Sequence, residues 1–268
     1  MKIDKCKICG GASDFIFSAK IMKKYDASYF LCSRCGFMQT EEPRWLEESY
    51  KRPINLSDTG LLARNIYYAQ LSASLIFALL YREGSFLDYA GGYGVYVRLM
   101  RDTGFDFYWN DAYTQNIFAK GFEYDSKPPE SKIAAVTSFE TFEHFVSPLN
   151  ELEKILNISQ NIIFSTRLLP PGAPPRPGAW PYYGFEHGQH ISFFSFKTLQ
   201  FIAGKYGLNF YSYGSEFHFF AERKISGLYF KFLCRFSKYI YEFIVKKRMK
   251  SLTGTDSLYL AGLNGNKE

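Results

Sequence analysis

The sequence predicts an α/β protein: a mainly parallel sheet with a terminal antiparallel element, covered by helices and preceded by a small cysteine-rich module. Three observations predict it. Short apolar runs alternate with helix-period segments between residues 85 and 165, a glycine-rich turn follows the first run, and four of the five cysteines fall before residue 36. Strands alternating with helices imply parallel pairing with both faces covered. At 268 residues the chain has room for one large domain plus something smaller.

Composition narrows the class. With 47% apolar and 22% charged residues, disorder, collagen and coiled coil are excluded as whole-chain readings. No apolar run approaches the roughly 18 residues of a spanning helix. The stretch Met1-Lys2-Ile3-Asp4-Lys5-Cys6 has no apolar h-region and enters a cysteine pair at once, so the sequence reads as cytosolic. Aromatics reach 19%, more than core packing asks for, and such residues favour clefts and interfaces. The net charge of +6 is concentrated: Glu222 to Lys250 holds nine Lys/Arg against two Asp/Glu. A globally basic nucleic-acid surface is therefore not expected.

The first module is read from its cysteines. Cys6-x2-Cys9 and Cys32-x2-Cys35 are separated by 22 residues, and Gly10 and Gly36 follow the pairs. In a reducing compartment this spacing favours a metal over disulfides. Four thiolates close a tetrahedral zinc site with no open position, which suits folding rather than chemistry. Cys234, alone among aromatics, reads as a small core residue. The expected organisation is a zinc-binding module at 1–42, a helical linker or cap at 43–84, and an α/β domain at 85–268.

In order, Trp45–Tyr50 reads as a short helix after Pro43, and Leu61–Leu80 as a longer packed helix. Asn55–Gly60 between them is a loop and helix-start cluster. Strands are expected at Ser85–Tyr89, Phe105–Asn110, Ile133–Phe139 and Asn161–Ser165, with helices at Val95–Arg101 and Leu149–Ile158. Weaker strand signals follow at Phe210–Tyr213, Phe217–Phe220 and Ser257–Leu260. Leu169–Gly184 holds six prolines and three glycines, and reads either as a lid or as a connection.

Chemistry concentrates at strand ends. The first strand leads into Asp88-Tyr89-Ala90-Gly91-Gly92-Tyr93-Gly94, where glycines let a ligand approach the backbone. Asp111 follows Gly94 by 17 residues at the end of the second strand, where an acid can accept both hydroxyls of a ribose. A nicotinamide oxidoreductase would want a third loop glycine, and Val97 stands there instead.

On these residues the chain resembles class I S-adenosylmethionine-dependent methyltransferases, whose fold is Rossmann-like. Thr137-Ser138-Phe139-Glu140-Thr141-Phe142-Glu143-His144 resembles the end of their fourth strand. The cysteine pairs resemble the zinc-binding domain of a bacterial subgroup that includes C-methyltransferases of nucleotide-linked sugars. Gly188-Gln189-His190-Ile191-Ser192-Phe193-Phe194-Ser195, with Thr198-Leu199 beyond, resembles that subgroup's His-x4-Ser segment. The resemblance implies that Asp88, Ala90, Gly92 and Gly94 meet the methionine end of S-adenosylmethionine, Asp111 its ribose and Phe139 its adenine or sulfonium. It places His190 on the position of the base, with His187 and Glu186 as competitors. Gln189 stands where those enzymes carry Glu, which leaves O-, N- and C-methylation all open. The Asn-Pro-Pro-Tyr type motif of base-methylating enzymes is absent, which argues against nucleic acid.

The expected function is methyl transfer to a small-molecule or glycan-linked acceptor, a sugar of bacterial polysaccharide biosynthesis in its narrower form. The alternative is a methyltransferase fold kept as a non-catalytic binding module. For His190, proton abstraction, acceptor binding without proton transfer and a structural role all stand. His144 reads as capping the following helix or bracing the cofactor, and His218 as a satisfied core residue. Lys231, Arg235, Lys238, Glu242 and Lys246 share one helical stripe with aromatic and aliphatic residues around it. This insertion, at about 224–250, points to peripheral contact with the inner membrane face, to a homodimer, or to packing on the protein's own sheet.

Overall fold

The computed structural model describes residues 4–51, 58–125 and 132–265. Its strands are β1 (Asp4–Lys5), β2 (Ala12–Ile21), β3 (Tyr25–Cys32), β4 (Met38–Thr40), β5 (Ser85–Tyr89), β6 (Asp106–Asn110), β7 (Ile133–Ser138), β8 (Ile162–Ser165), β9 (Ser192–Phe193), β10 (Asn209–Tyr213) and β11 (Phe217–Ala221). Its helices are α1 (Leu46–Ser49), α2 (Leu61–Leu79), α3 (Val95–Thr103), α4 (Pro148–Ile158), α5 (Phe196–Tyr206), α6 (Gly227–Arg235), α7 (Ser237–Ile240), α8 (Lys246–Arg248) and α9 (Thr253–Gly265). Asn55, Leu56 and Ser57 of the expected helix-start cluster lie outside the described residues, as do Met1, Lys2 and Ile3. Contacts divide the chain into two units, Met1–Asn55 with Phe139–Lys224, and Leu56–Ser138 with Ile225–Glu268.

The first unit holds an antiparallel sheet of order β1-β2-β3-β4-β9. The β2–β3 hairpin turns through Met22 and Lys23 at φ +53 and +58, and Lys24 N–H donates to Ile21 O at 2.9 Å. Two left-handed residues make a type I′ turn, ordinarily an Asn-Gly signal. Without that signal the hairpin had no mark in the sequence. One face of the sheet builds a core from Ile21, Ala27, Tyr29, Met38, Trp45 and Phe193. Leu169, Trp180 and Tyr183 join that core, so the proline-rich segment is pinned at both ends while most of its middle lies at the surface. This unit also holds the antiparallel row β10-β11-β8. His218 in β11 is buried and satisfied, with Nδ1 3.0 Å from Ser212 Oγ and Nε2 2.9 Å from Thr166 O.

The second unit supplies the parallel row β7-β5-β6. The short connection from β5 to α3 and the one beyond β6 meet at the carboxyl ends of the strands, the ligand-binding end of such sheets. This is the Rossmann-like α/β architecture expected from the sequence. No helix among the described residues is long and apolar enough to cross a membrane.

Two expectations are corrected. Ser257–Leu260 is not a strand but part of α9. Its alternating apolar residues mimic a strand, yet helical spacing puts Leu252, Asp256 and Leu260 on one face. Asp256 is clamped by buried Arg101, Nε to Oδ2 and Nη2 to Oδ1 at 2.8 Å each, and Arg98 Nη2 donates to Oδ2 at 2.8 Å. A buried carboxylate paired on both oxygens outweighs a weak β pattern. The basic stripe, in turn, does not run on one helix: α6, α7, a π-turn at Tyr241–Val245 and α8 follow in succession. α6, α7 and the π-turn pack on α2, burying Phe230, Leu233, Ser237 and Val245. Cys234 lies in that packed face, and burial pushes its thiol up to about 12, in keeping with a core role.

Candidate functional site

In the first unit the two cysteine pairs converge. Each has the same backbone frame: Gly10 N–H donates to Cys6 O and Gly36 N–H to Cys32 O, both at 2.9 Å, so the chain turns alike at each pair. All four Sγ atoms lie within 4.8 Å of one another, with Cys6–Cys35 at 3.5 Å and Cys9–Cys32 at 3.4 Å. None of the four is in a disulfide. Sulfurs 2.3 Å from one zinc sit roughly 3.8 Å apart on a tetrahedron, so the cage fits that ion with small adjustments. The hydrogen bond between Cys6 and Cys35 holds Cys6 down at about 5 and pushes its partner up. Thiols this close ionise together only when a cation neutralises them.

In the second unit, β5 ends in Asp88 and the glycine-rich loop. Asp88 is 3% exposed, and Thr137 Oγ1 donates to its Oδ1 at 2.7 Å. Burial, and next the charge of Asp111, raises its carboxyl to about 7 despite that bond. Three hydrogen bonds fasten the loop to β6 and the residue after it: Gly91 N–H to Asn110 O at 3.0 Å, Gly92 N–H to Asp111 Oδ2 at 2.9 Å, and Trp109 Nε1–H to Gly92 O at 2.9 Å. Asp111 Oδ1 also accepts from Tyr113 N–H and Thr114 N–H, each at 2.8 Å. With about four lone-pair sites on a carboxylate, one remains for a ligand hydroxyl.

Glycines serve two different ends in this loop. A Cβ on Gly94, at φ +83, would meet Asn116 Oδ1 at 2.7 Å, so a side chain there is excluded by its own neighbours. At Gly92, φ +54, nothing lies within 4 Å of that position, and the backbone is open to a ligand. The loop and its flanking acids therefore fit an adenosyl cofactor. Ala90 sits at φ +59, where an L side chain is strained by roughly 1–2 kcal/mol. We expect Ala90→Gly to raise stability by up to about 1 kcal/mol, after the added freedom of the unfolded chain is subtracted. Urea unfolding of the two proteins measures it, and a loss of stability would show that the Ala90 methyl packs usefully.

The histidines gather in the first unit. His190 stands 5.0 Å from His144 and 4.8 Å from His187, ring centre to ring centre, edge to face in both cases. His190 Nδ1 is 2.6 Å from Tyr182 O. A carbonyl only accepts, so Nδ1 carries the proton and Nε2 offers a lone pair. Burial, then the neighbouring imidazoles, holds this ring neutral, well below its ordinary range. His187 has the opposite arrangement: Gln189 N–H donates to its Nδ1 at 3.1 Å, which leaves the proton on Nε2. Glu186 is exposed, and its charge offsets part of the burial of His187. His144 leaves the helix N-cap to Ser147 and places Nδ1 3.1 Å from Tyr50 OH. Phe139 stacks on Phe217, with centroids 6.4 Å apart.

Sequence reasoning missed Glu143 and its meeting with His144 and His190. Glu143 is fully buried, and its N-terminal neighbour Phe142 stacks on Phe164 with centroids 4.2 Å apart. Adjacent Glu and His at a strand end were the only sign, and nothing local brings residue 190 beside them.

A family model described as "Methyltransferase domain" matches residues 63–213, more than half of the chain. The search of curated proteins gives no match. Among solved structures the chain is similar to TnmH, with 14% identity and TM-score 0.45 over 66% of this chain and 61% of that one. It is similar to CalO1, a methyltransferase in calicheamicin biosynthesis in its SAH-bound form, with 11% identity and TM-score 0.39 over 58% and 54%. Human N-acetylserotonin methyltransferase in complex with SAM gives 11% identity and TM-score 0.39 over 67% and 66%. The chain spans less than two thirds of the length of TnmH and of CalO1.

Proposed function

Because this chain belongs to the methyltransferase domain family, we propose that it transfers the methyl group of S-adenosylmethionine to a small-molecule acceptor. The observation that carries the reading is the loop Ala90–Gly94, open at Gly92 and held between Asp88 and Asp111. Bound there, S-adenosylmethionine supplies an electrophilic methyl on a sulfonium. Of Asp88, Ala90, Gly92 and Gly94, which the resemblance gives to its methionine end, Gly92 offers the open backbone, and the remaining lone pair of Asp111 takes a ribose hydroxyl. Phe139 offers an apolar face to the adenine or the sulfonium.

His190 handles the acceptor. Its Nε2 would take the proton that the acceptor hydroxyl or amine must lose on being methylated. The tautomer fixed by Tyr182 O supports His190 over His187 and Glu186 in this role. In its narrower form the acceptor is a sugar of bacterial polysaccharide biosynthesis, which rests on the resemblance of the Gln189-His190 segment and the cysteine pairs. Cys6, Cys9, Cys32 and Cys35 hold one structural zinc.

Calorimetry with S-adenosylmethionine tests the cofactor reading. We expect Asp111→Ala to weaken binding by roughly 2–3 kcal/mol, because a charge-assisted bond to the ligand is lost together with the tie to Gly92. Unchanged affinity would place the ribose elsewhere, and no binding by the unaltered chain would favour a non-catalytic module.

The acceptor's location is read from the basic segment. Phe232, Phe236, Tyr239 and Phe243 are 51%, 43%, 64% and 62% exposed, and Lys231, Arg235 and Lys238 are exposed among them. Rings and cations on one surface suit an anionic membrane face, each cation gaining about 1 kcal/mol at low salt. Co-sedimentation with phosphatidylserine vesicles should fall in a Lys231/Arg235/Lys238→Glu variant. Equal partitioning of both proteins would leave a homodimer as the cover for these rings.

A further inference from the structure

We propose that Glu143, His144 and His190 bind one divalent first-row transition-metal cation, at a site distinct from the four cysteines. Their donor atoms, one carboxylate oxygen and two imidazole nitrogens, all lie within 4.8 Å of one another. Donors 2.0–2.2 Å from a common ion stand roughly 3–3.5 Å apart, which side-chain rotation reaches from here. The backbone holds them together: Ile191 N–H donates to Glu143 O at 2.9 Å, and Ser192 Oγ to Phe145 O at 2.7 Å. Residue 190 is thereby zipped beside residues 143 and 144, although 46 positions separate His144 from His190.

Glu143 is the telling member. It is 0% exposed, and neither carboxylate oxygen makes a hydrogen bond of ordinary geometry, the Tyr182 and Thr166 hydroxyls being its weak polar neighbours. As an anion, a carboxylate buried with so few partners is costly, and a cation held between it and the two imidazoles would offset that cost. The imidazoles carry the second sign. A metal-bound histidine donates its other N–H to a carbonyl or similar acceptor, which orients the ring. His190 does this at Tyr182 O, and His144 keeps Nδ1 at the Tyr50 hydroxyl. His187 is excluded as a ligand, since Gln189 N–H occupies its Nδ1 and the neutral ring then carries its proton on Nε2. One carboxylate with two imidazoles suits zinc, manganese or iron better than the all-oxygen preference of calcium or magnesium. It also leaves coordination positions open, which an acceptor presenting hydroxyl oxygens would fill. The inference rests on the placement of the acceptor at His190; cation and acceptor proton are alternative occupants of Nε2, so the base role belongs to the cation-free chain.

The test uses the full chain with its cysteines intact. Free Mn²⁺ is followed by electron paramagnetic resonance during titration, because thiolate sites select softer ions. Wild type should take up one Mn²⁺ per chain, and Glu143→Gln and His190→Gln should each bind at least about 10-fold more weakly. Zinc content after dialysis should be one ion per chain higher in wild type than in His144→Asn, a readout that stands if Glu143→Gln does not fold. Absence of Mn²⁺ uptake by wild type, or equal uptake by folded variants, overturns the site. S-Adenosylmethionine affinity, measured on the same samples, separates the two readings. Retained cofactor binding without Mn²⁺ uptake removes the cation alone, whereas lost cofactor binding removes the methyltransferase reading.

Discussion

Cys32→Ser should lose one zinc per chain and loosen the sheet that the cysteines close. The expectation follows from how little else holds that edge. β1 has 2 residues and β4 has 3, and the turns Cys6–Gly11 and Cys32–Phe37 are fixed by short backbone bonds whose geometry the sulfurs share. Cys6, Cys32 and Cys35 are only 3%, 1% and 0% exposed, so without an ion the close-packed thiolates would have nothing to neutralise them. Structural zinc contributes about 10–16 kcal/mol in small thiolate modules, far more than a hairpin with an unfavourable Met22-Lys23 turn supplies alone. Metal analysis with limited proteolysis measures the outcome, and cleavage should appear between residues 4 and 40. Freshly reduced wild type without zinc, or a variant as protease-resistant as wild type, would remove the metal from the account.

Legibility divided along a physical line. Elements whose signal is local came through: β5 with its glycine turn, α2 from its apolar period, and the convergence of two Cys-x2-Cys turns. Asp111 was placed by its distance from Gly94, and the structure joins it to Gly92 directly. Elements made by distant partners did not come through. The β4–β9 pairing links Met38 to Phe193 and Gln39 to Ser192, and no local pattern encodes a two-residue strand. Ser257–Leu260 misled because the decisive force on α9 is an ion pair to Arg101, 155 residues away in sequence. The histidine cluster was half legible. Its residue types were noted, but its geometry depends on one backbone bond from Ile191 to Glu143.

The same cluster sets the largest expected kinetic effect. His190→Ala should lower turnover by about 10²-fold or more, within the ~10²–10⁴-fold that a positioned base contributes. The ring suits the task in three respects. Tyr182 O fixes the tautomer, Nε2 keeps its lone pair, and burial keeps that pair unprotonated at neutral pH. Cofactor affinity should stay intact, since Asp88, Gly92, Gly94 and Asp111 all belong to the other unit and make their own bonds there. Single-turnover kinetics on the loaded enzyme, with calorimetry beside it, separates the two effects. His187→Ala is the informative control. Its Nδ1 is occupied by Gln189 N–H and its Nε2 carries the proton, so it has no lone pair to offer and should cost only a few-fold. A large loss in His187→Ala with little in His190→Ala would move the proton acceptor three residues upstream and break the link between tautomer and role.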